Sequence, residues 1–173
     1  AGQSRGFSKT PVEIWGQDAS LLGWTCGNLA APTAEVARFM YELLVDRTIV
    51  SAVSLAEMQK TVPLDVGWAA GYISYGAGLM IQQTSRRARY PPQLSEWGAY
   101  IGHGGDTYGF LSEQGFVPQL NATFSVIANE DYFLQGSYVK ETLACRLIEM
   151  AALEELGIQL DLGCVIPNST VTT

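Results

Sequence analysis

Three strand-like segments follow one another between Trp97 and Asn129, and they constrain the fold more than any other feature of the chain. "WGAYIGHGG", "YGFLSEQGFVP" and "ATFSVIAN" carry aromatic and β-branched residues and are separated only by short turns. Connections that short join antiparallel neighbours, because a parallel pair needs a crossover of about a dozen residues. The last segment is apolar almost throughout, the pattern of a strand covered on both faces.

Helical patterns flank these strands. "PTAEVARFMYELLVDR", 32–47, is expected to be a helix capped by Thr33, with Glu35 in the positive first turn and Val36, Met40, Leu43 and Leu44 on one face. Ser54-Leu55-Ala56-Glu57 has capping-box spacing and opens a short second helix that Pro63 ends. "GYISYGAGLMIQQT", 71–84, looks like a strand or hairpin arm, and the polar, proline-containing residues 84–97 a loop. "SYVKETLACRLIEMAALEEL", 137–156, predicts a long terminal helix. Its main stripe is Val139, Leu143, Leu147, Met150 and Ala151, widened by Ile148 and Ala152, and Gly157 stands at its end. The expected architecture is α+β: an antiparallel sheet flanked by helices, with the terminal helix on one face. Residues 1–157 form one domain part, of which 1–31 are irregular, and 158–173 form a loosely held tail.

Size and charge narrow the function classes. The 173 residues are 47% hydrophobic and 16% charged, enough for one real core and too apolar for disorder. Ten basic against seventeen acidic residues give a net charge of −7, which argues against nucleic acid or an anionic membrane as partner. The one basic cluster, Arg86, Arg87 and Arg89, reads as an exposed loop. No apolar run approaches the ~18–20 residues of a membrane span. Cys26, Cys145 and Cys164 lack metal-ligand spacing, and no metal or cofactor site is indicated. Cys26 and Cys145 read as buried thiols, and Cys164 is the best candidate for a bridge. Sequons at Asn121 and Asn168, with the cysteines, point to a secretory or extracellular setting.

The single histidine of the chain stands in "YIGHGGDTYGF", 100–110, among four glycines. Locally this is either a site or a tight strand turn, since glycine serves both. Tyr72, Tyr75 and Tyr108 can line a cleft, although strand aromatics are commonly packing residues.

The order of motifs resembles the C-terminal half of the serine β-lactamase and penicillin-binding-protein superfamily, in the branch of class C β-lactamases, D-Ala-D-Ala carboxypeptidases and related esterases. "SRGF", "CGNLAAPTAEVARFMYELL", "SLAEMQ", "YGAGLMI" and "GHGGDTYGF" are similar to family elements and stand in the family's order over about residues 4–156. The resemblance implies a β-lactamase/transpeptidase-like fold, C-terminal portion only. It places His103 at the Lys of the Lys-Thr-Gly triplet and Gly105 at its Gly. It assigns the backbone N–H of Asp106 to an oxyanion hole, and Gly104, Gly105, His103 and Tyr108 to substrate binding. The implied chemistry is acyl transfer to or hydrolysis of an amide or ester in a small-molecule or peptide substrate.

That chemistry needs a Ser-x-x-Lys nucleophile, which family members carry upstream of the matched region. Neither Ser4-Arg5-Gly6-Phe7 nor Ser8-Lys9 supplies it, and no Tyr-x-Asn or Ser-x-Asn is present. The expectation is that an N-terminal half of the same domain, or a complementing chain, brings the nucleophile, the strand beside "ATFSVIAN" and a helix beside the terminal one. The alternatives are a catalytically inactive module of this fold and a small independent α+β binding domain.

Overall fold

A computed structural model describes residues 29–66, 70–107, 109–131, 133–134 and 137–164, together with 3–4, 12–13 and 16. In chain order the elements are β1 (Gln3–Ser4), β2 (Val12–Glu13), α1 (Thr33–Tyr41), a π-helical turn (Glu42–Asp46), α2 (Ala52–Met58), β3 (Val62–Pro63), β4 (Ser74–Tyr75) and β5 (Met80–Gln83). They are followed by β6 (Ala99–Thr107), β7 (Phe110–Val117), β8 (Ala122–Ala128), β9 (Glu130–Asp131), β10 (Phe133–Leu134), β11 (Ser137–Tyr138) and α3 (Val139–Leu156). The chain is α+β. Strands β3 to β8 form one antiparallel sheet in sequential order, with β8 at its edge among the described residues. The hairpin at 74–83 and the three expected strands are all present.

Alternation along the strands divides the core in two. Tyr100 and Ile101 are adjacent in β6, both 2% exposed, and point into different clusters. Ile101 joins Met40, Leu43, Leu44, Leu55 and Leu79 under α1 and α2, on what we call the front of the sheet. Tyr100 joins Val117, Cys145, Ile148 and Leu162 under α3, on the back. In β7 the same period buries Leu111, Glu113, Gly115 and Val117 and leaves the residues between them half-buried or exposed.

Three helix details depart from expectation. The residue before α1 is Pro32, not Thr33, and no side chain caps the helix; proline's fixed φ suits a helix start. Ser51, not Ser54, caps α2, accepting a hydrogen bond from the Ser54 N–H, and the helix ends at Met58, well before Pro63, which lies in β3. In α3 the expected stripe is turned outward: Leu143, Leu147 and Met150 are exposed, Val139 and Ala151 half-buried, and Ala144, Cys145, Ile148 and Ala152 face the sheet. This helix is apolar on two sides, so periodicity alone does not choose between them. Ala144 and Ala152, fully buried, let the backbone approach the strands closely. Gly157, at φ 67°, ends the helix as expected, donating its N–H to Leu153.

Cys145 is not a free thiol. It forms a disulfide with Cys164, nineteen residues on. Residues 158–164, expected to be loose, are held by this bond and by buried Leu162, whose carbonyl accepts from the Ser85 hydroxyl and the Arg86 N–H. Cys26, Asn168 and the last nine residues lie outside the described residues. The arginine cluster is an exposed loop, with Arg87 paired to Asp161 at 2.7 Å.

Candidate functional site

Strand β6 outruns its neighbour. Strand β5 pairs with it only as far as Gly102, opposite Met80, while β7 pairs along it to Thr107. A Cβ at Gly102 would strike the Gln114 carbonyl oxygen, and one at Gly115 the Ile101 carbonyl oxygen. The phase of the ladder is set where the Thr84 N–H donates to the Gly98 carbonyl, so the even-numbered residues that follow turn their backbone groups toward β5 and the odd-numbered ones toward β7. By alternation, the backbone groups of His103 and Gly105 turn toward β7, and those of Gly104 and Asp106 toward the flank beyond the end of β5.

The His103 ring lies over that flank. Its Nδ1 is 2.5 Å from the Gly104 carbonyl oxygen, and its Nε2 is 2.9 Å from the Tyr75 hydroxyl. A carbonyl only accepts, so Nδ1 carries the proton, and in the neutral ring Nε2 accepts from Tyr75. Tyr75 reaches this position because the register aligns it with Met80, and Met80 with Gly102. The two rings meet edge-on, 5.7 Å between centroids. Tyr75 is therefore more than strand packing.

Behind the same stretch of β6 lies a buried polar cluster that the motif comparison does not contain. Glu113, opposite Gly104 on β7, is 1% exposed, and Lys140, in the first turn of α3, is 3% exposed. Glu113 accepts from the Tyr100 hydroxyl at 2.5 Å and from Gln82 Nε2 at 2.7 Å, and lies 3.4 Å from Lys140 Nζ. Lys140 donates to the Gly105 carbonyl at 3.2 Å. Burial pushes the Glu113 carboxyl up, against the pull of Lys140 and its two hydrogen bonds. Burial also raises the Tyr100 phenol well above its ordinary value, helped by the adjacent carboxylate. A Cβ on Gly104 would stand 2.9 and 3.0 Å from the Glu113 oxygens and 3.1 Å from Lys140 Nζ. A methyl at 104 would crowd this cluster, whose terminal atoms would have to give way.

Sequence motifs therefore locate His103, Gly104, Gly105 and Asp106 on one strand, but miss the Tyr75 bond to His103 at its flank and Glu113, Lys140 and Tyr100 behind it. One signal was available: Glu113 falls in the buried phase of β7, with Leu111, Gly115 and Val117. The expectation that Ser-x-x-Lys spacing is missing from the chain also needs correction. Ser137-Tyr138-Val139-Lys140 has Ser-x-x-Lys spacing within the chain itself. Its lysine donates to the Gly105 carbonyl and pairs with the Glu113 carboxylate behind β6. Tyr108 and Asn168 lie outside the described residues. Asn121 is exposed in the turn before β8, at φ 48°, and the Thr123 hydroxyl of its sequon donates to the Ala37 carbonyl.

Two further features lie away from this strand. Cys145, Glu149 and Cys164 bring ligand-type atoms within 4.8 Å of one another, but the sulfurs are joined and Glu149 accepts from the Leu162 N–H and from Arg146. An apolar groove of about 180 Å³ lies between the β7–β8 turn and α3, lined by Val117, Leu120, Phe124, Leu147, Ile148 and Ala151. No helix of the described chain is long and apolar enough to cross a membrane. No protein-family model matches the chain, and no curated protein matches it.

Proposed function

We propose that this chain is the C-terminal segment of a serine hydrolase of β-lactamase-like fold, acting by acyl transfer on an amide or ester. The observation that carries the proposal is the flank of β6, where the backbone of Asp106 turns outward beside the Tyr75–His103 pair. A backbone N–H fixed on a sheet can stabilise a developing oxyanion without reorganising, which is the largest single requirement of acyl transfer. His103 is held beside the strand edge by its bonds to the Gly104 carbonyl and the Tyr75 hydroxyl, which fix the ring as a wall of the site. The substrate class is a D-Ala-D-Ala-like peptide, a β-lactam or a small ester.

The nucleophile is assigned to an N-terminal half of the domain or a complementing chain. The exposed α3 residues Leu143, Leu147 and Met150, the adjoining apolar groove and the edge of β8 support this, because together they offer places for one helix and one strand. The disulfide and the exposed sequon at Asn121 support a secretory or extracellular setting.

The test is labelling of the intact protein with a serine-reactive phosphonate, followed by peptide mapping. The expected result is one labelled serine on polypeptide outside residues 1–173. Labelling of Ser137 would move the nucleophile into this chain and overturn the split-site proposal. Absence of labelling in the folded, complete protein would favour a catalytically inactive module.

A further inference from the structure

The Gly105 carbonyl and the Asp106 N–H belong to one trans peptide unit, so they point in opposite directions. Whatever holds the carbonyl aims the N–H. The carbonyl turns toward Ser112 in the β6–β7 ladder and takes a second, charged donor from behind the sheet, Lys140, whose stem comes from α3 and whose ammonium is itself positioned by Glu113. Glu113 in turn is clamped by Tyr100 from β6 and Gln82 from β5. Four side chains from four elements thus converge on one peptide of a glycine strand, and all four come from the face opposite His103. Glycines at 104 and 105 make that stretch of backbone easy to deform, so an external grip has something to fix.

We propose that Lys140 is a positioning residue: by gripping the Gly105 carbonyl it orients and polarises the Asp106 N–H for oxyanion binding. The grip itself depends only on geometry; its catalytic meaning rests on the hydrolase proposal above. Apolar side chains would fill this space with less cost than a buried ion pair, which commonly adds little net stability. A donor aimed at a backbone carbonyl does something they would not. Charge on the donor strengthens the hydrogen bond, and hydrogen bonds in a chain polarise one another, so the N–H at the other end of the peptide becomes a better donor.

Two measurements separate the grip from the chemistry. In the intact protein, NMR should detect a hydrogen-bond scalar coupling between Lys140 Nζ and the Gly105 carbonyl carbon. In Lys140→Met that carbonyl resonance should move upfield and the Asp106 amide resonance should shift with it. The rate of acylation by the phosphonate should fall about tenfold at unchanged affinity for the probe, short of the roughly 10²–10³ lost when an oxyanion donor is removed outright. Glu113→Gln serves as the second variant if Lys140→Met does not fold. It should weaken the coupling and slow acylation in the same direction. An absent coupling in the wild-type protein, or unmoved Gly105 and Asp106 resonances in a folded variant, overturns the inference. If the resonances move as expected but the wild-type protein takes no label, the hydrolase proposal fails and the grip stands.

Discussion

At residue scale the account turns on groups hidden behind β6. Gly104 is the simplest test. Its replacement by Ala drives a methyl into Glu113 and Lys140 terminal atoms that are held in place by Tyr100, Gln82 and the Gly105 carbonyl. The expected loss is about 1–3 kcal/mol in denaturant unfolding, the range for overpacking a filled interior. Glu113 gives a pH signature. Its carboxyl is raised in the folded chain, so between its ordinary value of 4.5 and the raised one the native state holds a proton that the unfolded state has released. Stability contributed by Glu113 is therefore complete below 4.5 and declines as pH rises through the raised value. Glu113→Gln should remove that decline, visible as a flatter difference between the two stability curves across this window. Equal slopes for variant and wild type would contradict the assignment. None of this was legible from local motifs, because Tyr100, Glu113 and Lys140 are far apart in sequence and each alone reads as ordinary. The glycine–histidine strand was legible, because its unusual composition is local.

At element scale the sheet was readable and the helix faces were not. Strands β6, β7 and β8 declare themselves through residue type and short turns, and their order follows from connection length. In α3 the sequence offers two apolar sides. Tertiary contact selects the one with Ala144, Cys145, Ile148 and Ala152, a choice made by close approach to the sheet and by the reach of Cys145 to Cys164. Three cysteines allow several pairings, so the bond itself could not be derived from spacing. Cys164→Ser should lower stability by about 3 kcal/mol, as expected for opening a loop of this length. Chemical unfolding with and without reductant would show it, and an unchanged midpoint would mean that the Leu162 anchors suffice. The outward stripe predicts the opposite behaviour. Leu143→Gln should leave the helical circular dichroism signal of the isolated chain unchanged, as substitution at an exposed position does, and should weaken association with the complementing segment. A large loss in the isolated chain would place Leu143 inside a core of its own.

At the scale of the whole molecule, an edge strand, an apolar groove and an outward apolar helix stripe lie side by side on one end of the fold. The candidate strand His103–Asp106 lies toward the other end of β7, with the Ser112 hydroxyl beside Gly105 on the His103 face. The exposed edge, groove and stripe support the central proposal, that further polypeptide completes this fold. Sedimentation equilibrium of the isolated chain, paired with its unfolding curve, tests it most directly. The account predicts self-association or a broad, non-cooperative transition, replaced by a sharp one when the complementing segment is supplied. A monomer that unfolds in a single steep transition by itself would contradict it.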